Sequence, residues 1–94
     1  VEVSFHDVRE FEKWLRSIDS PHSGRIVDKL RFVHRGGPTI GLPLVRTFGG
    51  GLSELRVDKY RVYFVRDGSQ IHVVAAGSKD TQRRDISRAR RRQP

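Results

Sequence analysis

From Leu52 to Ala76 the chain reads LSELRVDKYRVYFVRDGSQIHVVAA, and apolar and polar residues alternate through three runs separated by two short breaks. A period of two places successive side chains on opposite faces of a strand, so this stretch predicts a three-stranded antiparallel meander. Asp67-Gly68 suits a two-residue type I′ turn, whose central positions both need positive φ, and predicts the pairs Phe64–Ile71, Val62–Val73 and Tyr60–Ala75. Asp58-Lys59 as a second two-residue loop predicts Val57–Tyr60, Arg56–Arg61 and Glu54–Tyr63. Leu55, Val57, Tyr60, Val62, Phe64, Ile71, Val73 and Ala75 then share one face, a core. Glu54, Arg56, Arg61, Tyr63 and His72 share the other, which the pattern assigns to solvent.

Ahead of the meander, VEVSF at Val1 to Phe5 alternates as a short strand. Asp7 is placed to cap a helix carrying Val8, Phe11, Leu15 and Ile18 at helical spacing, with Trp14 beside them. A second helix starts at Ser20-Pro21 or Ser23-Gly24, buries Ile26, Val27, Leu30 and Val33, and stops at Gly36-Gly37-Pro38. Phe11, Trp14 and Phe32, in apolar company, are expected in the core. The two helices are expected to form a hairpin over the apolar sheet face. From Thr39 to Gly51, Pro and Gly interrupt any long element, although Leu44 to Phe48 has room for a short strand. Asp80 or Thr81 caps a last helix whose apolar residues are Ile86 and Ala89 among many arginines.

Composition narrows the functional classes. The 94 residues fit one domain, expected over 1–94, and carry a formal net charge of +8, which favours an anionic partner. There is no cysteine, so thiolate chemistry and disulfides are excluded, and the chain suits a reducing cytoplasm. No apolar run is long enough to span a membrane and the start carries no secretory-type segment, so no membrane partner is expected. The histidines share no ligand-like spacing, and neither a metal nor another cofactor is expected.

The residue types on the polar face suit phosphodiester chemistry. Attack of an RNA 2′-hydroxyl on the neighbouring phosphate needs a base, cations for the charge gathering on phosphorus, and a proton for the leaving oxygen. Arg56 opposite Arg61 would repel unless Glu54 or a phosphate sits between them, so the pair is more easily explained by an anionic ligand than by stability. His72 can exchange protons near neutrality. An ordinary solvated sheet face has the same pattern, as does an ordinary solvated face of the last helix.

The run GLPLVRTFGGGLSELRVDKYRVYFVRDGSQIHVV and the following AAGSKDTQRRDISRARRR resemble the RelE/ParE superfamily of toxins, closest to the phage-derived HigB-like addiction module killer branch. The carrying motifs are G.PLV...GGGL.ELRV at Gly41 to Val57, YRVYF at Tyr60 to Phe64, RDG before the last strand, GSKDTQRRDI.RA at Gly77 to Ala89, and F..WL at Phe11 to Leu15. The resemblance implies an α+β, β-α-α-β-β-β-α RelE-like microbial ribonuclease fold, an antiparallel sheet with the two N-terminal helices on one face. It also implies a toxin-antitoxin toxin that cleaves mRNA on the ribosome by metal-independent 2′-hydroxyl attack and arrests growth. Implied partners are a helix-turn-helix antitoxin, mRNA with 16S rRNA contacts, and a hetero-oligomeric complex able to bind operator DNA. Arg61 corresponds to the family's phosphate-contacting arginine, Glu54 and Arg56 to its ELR, and Lys79 to the basic position after the last strand. The final helix offers Arg84 and Asp85 where RelE has a tyrosine, which leaves proton transfer among Lys79, His72 and Glu54. Tyr63, Arg83, Arg84 and Arg88 are the expected RNA contacts. Two rivals share the scaffold: a ParE-like gyrase inhibitor that cleaves nothing, and an inactive module that only binds antitoxin or nucleic acid.

Overall fold

The computed structural model describes residues 3–36, 45–68 and 70–94. In chain order these form β1 (Val3–Phe5), α1 (Val8–Ser17), α2 (Ser20–Gly36), β2 (Val45–Thr47), a 3-10 turn (Gly49–Gly51), β3 (Leu52–Val57), β4 (Tyr60–Asp67), β5 (Gln70–Ser78), a second 3-10 turn (Lys79–Thr81) and α3 (Gln82–Arg91). The five strands make one sheet in the order β1-β5-β4-β3-β2. The class is α+β, with two corrections to the expected layout. The short segment at Val45–Thr47 pairs with β3 and adds a strand to β-α-α-β-β-β-α. The sheet is mixed rather than antiparallel, because α1 and α2 carry the chain across before it returns, leaving β1 parallel to β5. Val1, Glu2, the Gly37-Pro38 helix stop and Thr39 to Leu44 lie outside the described residues.

The first two helices start where the sequence supplies a cap, whereas Thr81 makes no side-chain cap bond to α3 and Ser78 caps the 3-10 turn before it. The Asp7 side chain accepts from the Glu10 amide at 3.1 Å, and Asp19, one residue earlier than expected, accepts from the His22 amide at 3.1 Å. Ile26, Leu30 and Val33 of α2 and Phe11 of α1 pack on Val45, Leu55, Val57, Val62, Phe64, Ile71 and Val73. Each such side chain withdrawn from water contributes roughly 1.5–3 kcal/mol. Phe32 departs from the expected core. It lies 46% exposed on α2 with the Lys29 ammonium 6.0 Å from its ring centre.

The β3–β4 register is the one expected, with Val57 opposite Tyr60, Arg56 opposite Arg61 and Glu54 opposite Tyr63, and Asp58 takes φ 55° in the turn. The β4–β5 register differs. Asp67 pairs with Gln70 and Phe64 with Val73, a two-residue shift that preserves the faces, and an irregularity between Tyr63 and Phe64 leaves Val74 without an opposite number. Beyond that bulge the phase of β5 changes. Ala75, expected with the main core, joins Val74, Leu52, Tyr63, Val65 and Ala89 in a second cluster on the other face, packed with Ile86 and Phe48.

That second cluster exists because α3 covers the sheet face that the alternation assigned to water. Two polar locks hold it. Arg92 grips Glu10 of α1 through two contacts of 2.7 and 3.1 Å and also donates to the Val74 carbonyl at 3.0 Å; the guanidinium holds the Glu10 carboxyl below its usual range. Asp85 is fully buried, accepts from Thr81 Oγ1 at 2.5 Å and from Arg88 Nη2 at 3.3 Å, and sits against Gly77.

A third polar contact ties α2 to the β3–β4 turn. His22 Nδ1 lies 2.7 Å from Asp19 Oδ2 and Nε2 lies 3.0 Å from Asp58 Oδ2. The hydrogen bonds to Asp19 and then Asp58 raise its pKa from 6.5, and the His22 bond lowers that of Asp19 from 3.8. The raised histidine contributes stability fully present below pH 6.5 and lost as pH rises through the folded value; the aspartate's share is lost as pH falls below 3.8. A His22→Gln variant is therefore expected to melt below the wild type at about pH 5 and to approach it at about pH 8. Parallel melting curves across that range would show that the histidine is not linked to folding.

Candidate functional site

The polar side chains of the meander do come together, but beneath α3 rather than on an open face. Glu54 is fully buried and Arg61 is 6% exposed. Glu54 Oε1 lies 3.6 Å from Arg56 Nε and 3.9 Å from Arg61 Nε, so one carboxylate oxygen sits between the two opposed guanidinium groups. The group between the opposed arginines is therefore the protein's own carboxylate, where the sequence favoured an anionic ligand. Its other oxygen, Oε2, accepts from Gln82 Nε2 of α3 at 2.5 Å. Arg61 is anchored by donating to the carbonyls of Asp58 at 2.7 Å and Tyr60 at 3.0 Å, while Arg56 remains 39% exposed.

The cluster is incompletely satisfied. Among the described residues, Glu54 Oε1, Arg61 Nε and Tyr63 OH are buried without a hydrogen-bond partner. Such atoms forfeit solvation without replacement, at about 1–3 kcal/mol each, and that makes them informative. Burial first, then the Glu54 and Asp85 charges, push the Tyr63 phenol well above its ordinary pKa of 10.0, with Arg61 opposing, so it stays protonated.

Tyr63 is fully buried under α3, which removes it from direct contact with a macromolecule in this conformation. The histidine is elsewhere. His72 lies opposite Val65, not beside Tyr63, and its Nδ1 meets Ser4 Oγ at 2.8 Å on the β1 side of the sheet. Lys79 is exposed at the opposite end, where its amide bonds to the Lys59 carbonyl at 2.8 Å, just beyond the rows holding Tyr60–Ser78 and Arg61–Gly77. Arg83, Arg84 and Arg88 separate around α3. Arg84 and Arg88 flank a groove of about 390 Å³ along Val74–Ser78 of β5, with Glu10 and Trp14 opposite. Arg88 is committed to Asp85 and to the Ala76 carbonyl at 3.0 Å.

Arg83 belongs to a different depression. Together with Arg46, Phe48, Gln82, Ile86 and Ser87 it lines an open cleft of about 440 Å³ between the β2 edge and α3. Arg46 stands opposite Glu54 in the β2–β3 register, and Gln82 connects the cleft wall to the Glu54 carboxylate. The cleft, rather than the groove on the far edge, adjoins the arginine-flanked carboxylate. Sequence reasoning missed Arg46, Phe48 and Gln82. The first two fall in the stretch broken by Pro and Gly, and Gln82 carries no charge to draw notice, although Arg46 opposite Glu54 follows once the Leu44 to Phe48 strand is paired.

No group of three or more His, Cys, Asp or Glu suited to a metal occurs among the described residues, and no helix among them is long and apolar enough to cross a membrane. A family model described as Phage derived protein Gp49-like (DUF891) matches residues 13–93. No curated protein matches the chain.

Proposed function

The chain belongs to the Gp49-like family of phage-derived proteins, a RelE/HigB-type family associated with toxin-antitoxin toxins, and from that premise we propose that it is a toxin that cleaves mRNA on the ribosome. The observation that carries this reading is the buried carboxylate oxygen of Glu54, held between Arg56 and Arg61 and lacking a hydrogen-bond partner, beside a cleft lined by Arg46 and Arg83. A structural ion pair gains nothing from leaving that oxygen unmatched. A substrate hydroxyl would satisfy it.

In the proposed reaction Glu54 Oε1 takes the proton of the 2′-hydroxyl as the 2′-oxygen bonds to the adjacent phosphorus. The bond from phosphorus to the 5′-oxygen breaks, leaving a 2′,3′-cyclic phosphate. Arg56 and Arg61 stabilise the charge that gathers on the non-bridging oxygens. Lys79 protonates the leaving 5′-oxygen; it lies toward the Arg61 end of the sheet, whereas His72 lies four rows away from Arg61. Because Glu54 is buried and bonded to Gln82 of α3, the proposal requires the Gln82 end of that helix to yield when RNA is bound. The antitoxin, a helix-turn-helix protein on this reading, forms the inhibited complex.

Arg56 is the arginine to truncate, because it is exposed where Arg61 is buried and anchored. Expression of the wild type is expected to produce a cluster of new transcript ends inside translated codons, and Arg56→Ala, assayed well below a melting temperature lowered by the loss of one partner of Glu54, to reduce them on the order of 100-fold. Intact messages accompanied by gyrase-linked DNA breaks would overturn the reading in favour of a gyrase inhibitor.

A further inference from the structure

We infer that the cleft between β2 and α3 holds an unstacked nucleobase of single-stranded RNA on the Phe48 ring, in the place Arg46 takes there, with Arg46 and Arg83 placed for the adjoining phosphate. This rests on the RNA-cleaving reading and assigns that site a subsite which accepts the base rather than the backbone.

Three observations converge. The Arg46 guanidinium lies 5.5 Å from the Phe48 ring centre, so this side of the ring already receives a flat cation, which a planar base would displace toward the adjoining phosphate. Phe48 is half-buried, with its inner side against the second core cluster and its outer side on the cleft, which is how an aromatic platform is held without being lost to the core. The platform is also braced. The Phe48 amide donates to the Leu52 carbonyl at 2.7 Å, and α3 reaches back to the turn between them, with Arg90 Nη1 donating to the Gly49 carbonyl and Gln93 Nε2 donating to the Gly50 carbonyl at 2.6 Å. Gly50 and Gly51, at φ 74° and 82°, give the turn the left-handed backbone this bracing needs.

The cleft chemistry selects the occupant. Arg46 and Arg83 are both exposed, no acidic residue among the described residues lines the cleft, and the chain carries +8. An anionic ligand with an aromatic face satisfies both the cations and the ring, and single-stranded nucleic acid repeats that combination along its length. Among the described residues the apolar wall is Ile86 and the ring itself, too little for a hydrophobic helix. The neighbouring Gln82 bonds Glu54, so a base on Phe48 would place the chain's backbone at the entrance to the carboxylate.

The experiment compares binding of a short RNA oligomer with an abasic oligomer of the same length and charge, by fluorescence anisotropy, for the wild type, Phe48→Ala and Phe48→Tyr. Stacking on one base predicts that the wild type prefers RNA by about 5- to 150-fold, that Phe48→Ala erases the preference, and that Phe48→Tyr keeps it. The salt dependence of the remaining binding should be the same in all three, because the phosphate contacts persist. A folded wild type that binds the two oligomers alike, or a preference that survives in Phe48→Ala, would overturn the subsite even if transcripts are cleaved. A Phe48-dependent preference without transcript cleavage would retain the subsite and overturn only the enzymatic reading.

Discussion

Gly77→Ala is expected to cost about 3 kcal/mol or more and to lower the melting temperature on the order of 12–24 °C. A β-carbon on Gly77 would fall 1.9 Å from Asp85 Oδ2, 2.8 Å from its Cγ and 2.9 Å from Thr81 Oγ1. None of those atoms belongs to a flexible, exposed side chain. Asp85 is fully buried and held by Thr81 and Arg88, so the methyl group must either lift α3 from β5 or expel a charged group from its partners. Both routes uncover Tyr63, Val74 and Ala75. A double-mutant cycle checks the cause: if the Asp85 carboxylate is the obstacle, Gly77→Ala should cost far less in an Asp85→Ser background than in the wild type. Costs that add within about 0.5 kcal/mol would point to the backbone of β5 instead.

The same lock shows what was legible in the sequence. Strand alternation gave the meander, the β3–β4 register and the Arg56–Glu54–Arg61 row, because period two and a two-residue loop leave little freedom once one face is apolar. It missed the layer on the other face. With only Ile86 and Ala89 as apolar anchors, α3 looks solvated, yet it docks through Arg92 and Gln82, whose partners are remote in sequence, and through Asp85, which sits against Gly77. Two signals did point to it. Val73-Val74-Ala75-Ala76 breaks alternation with four apolar residues in a row, which suits a strand covered on both sides, and Gly77 inside the same strand marks a close approach. The shifted β4–β5 pairing and the bulge at Val74 were not legible, since a turn dipeptide does not reveal whether its strands continue in phase. For the site, residue types led to Glu54, Arg56 and Arg61 as neighbours. Their burial, and the cleft supplied by Arg46 and Phe48, depend on where α3 lies.

Burial also changes which substitutions are informative. Arg61→Ala would leave the Glu54 charge buried with one fewer partner, at a cost on the order of 3–5 kcal/mol, so lost activity in that variant would confound chemistry with folding. Glu54→Gln is the sharper change. It keeps the shape of the side chain and an oxygen for the Gln82 contact while removing the group that accepts a proton. The uncompensated arginines will lower the melting temperature, and assays belong well below it. Under those conditions cleavage is expected to fall by about 10²–10⁴-fold, the usual contribution of a positioned base. Glu54→Asp, which retains a carboxylate on a shorter stem, should recover part of the loss.

The most direct measurement is therefore the single-turnover rate of message cleavage on programmed ribosomes by purified wild-type and Glu54→Gln protein, each confirmed folded at the assay temperature by circular dichroism. If Glu54 is the proton acceptor, the wild type cleaves within codons and the folded Gln variant is slower by at least about 100-fold. A folded Glu54→Gln protein that cleaves at the wild-type rate would remove the buried carboxylate from the chemistry.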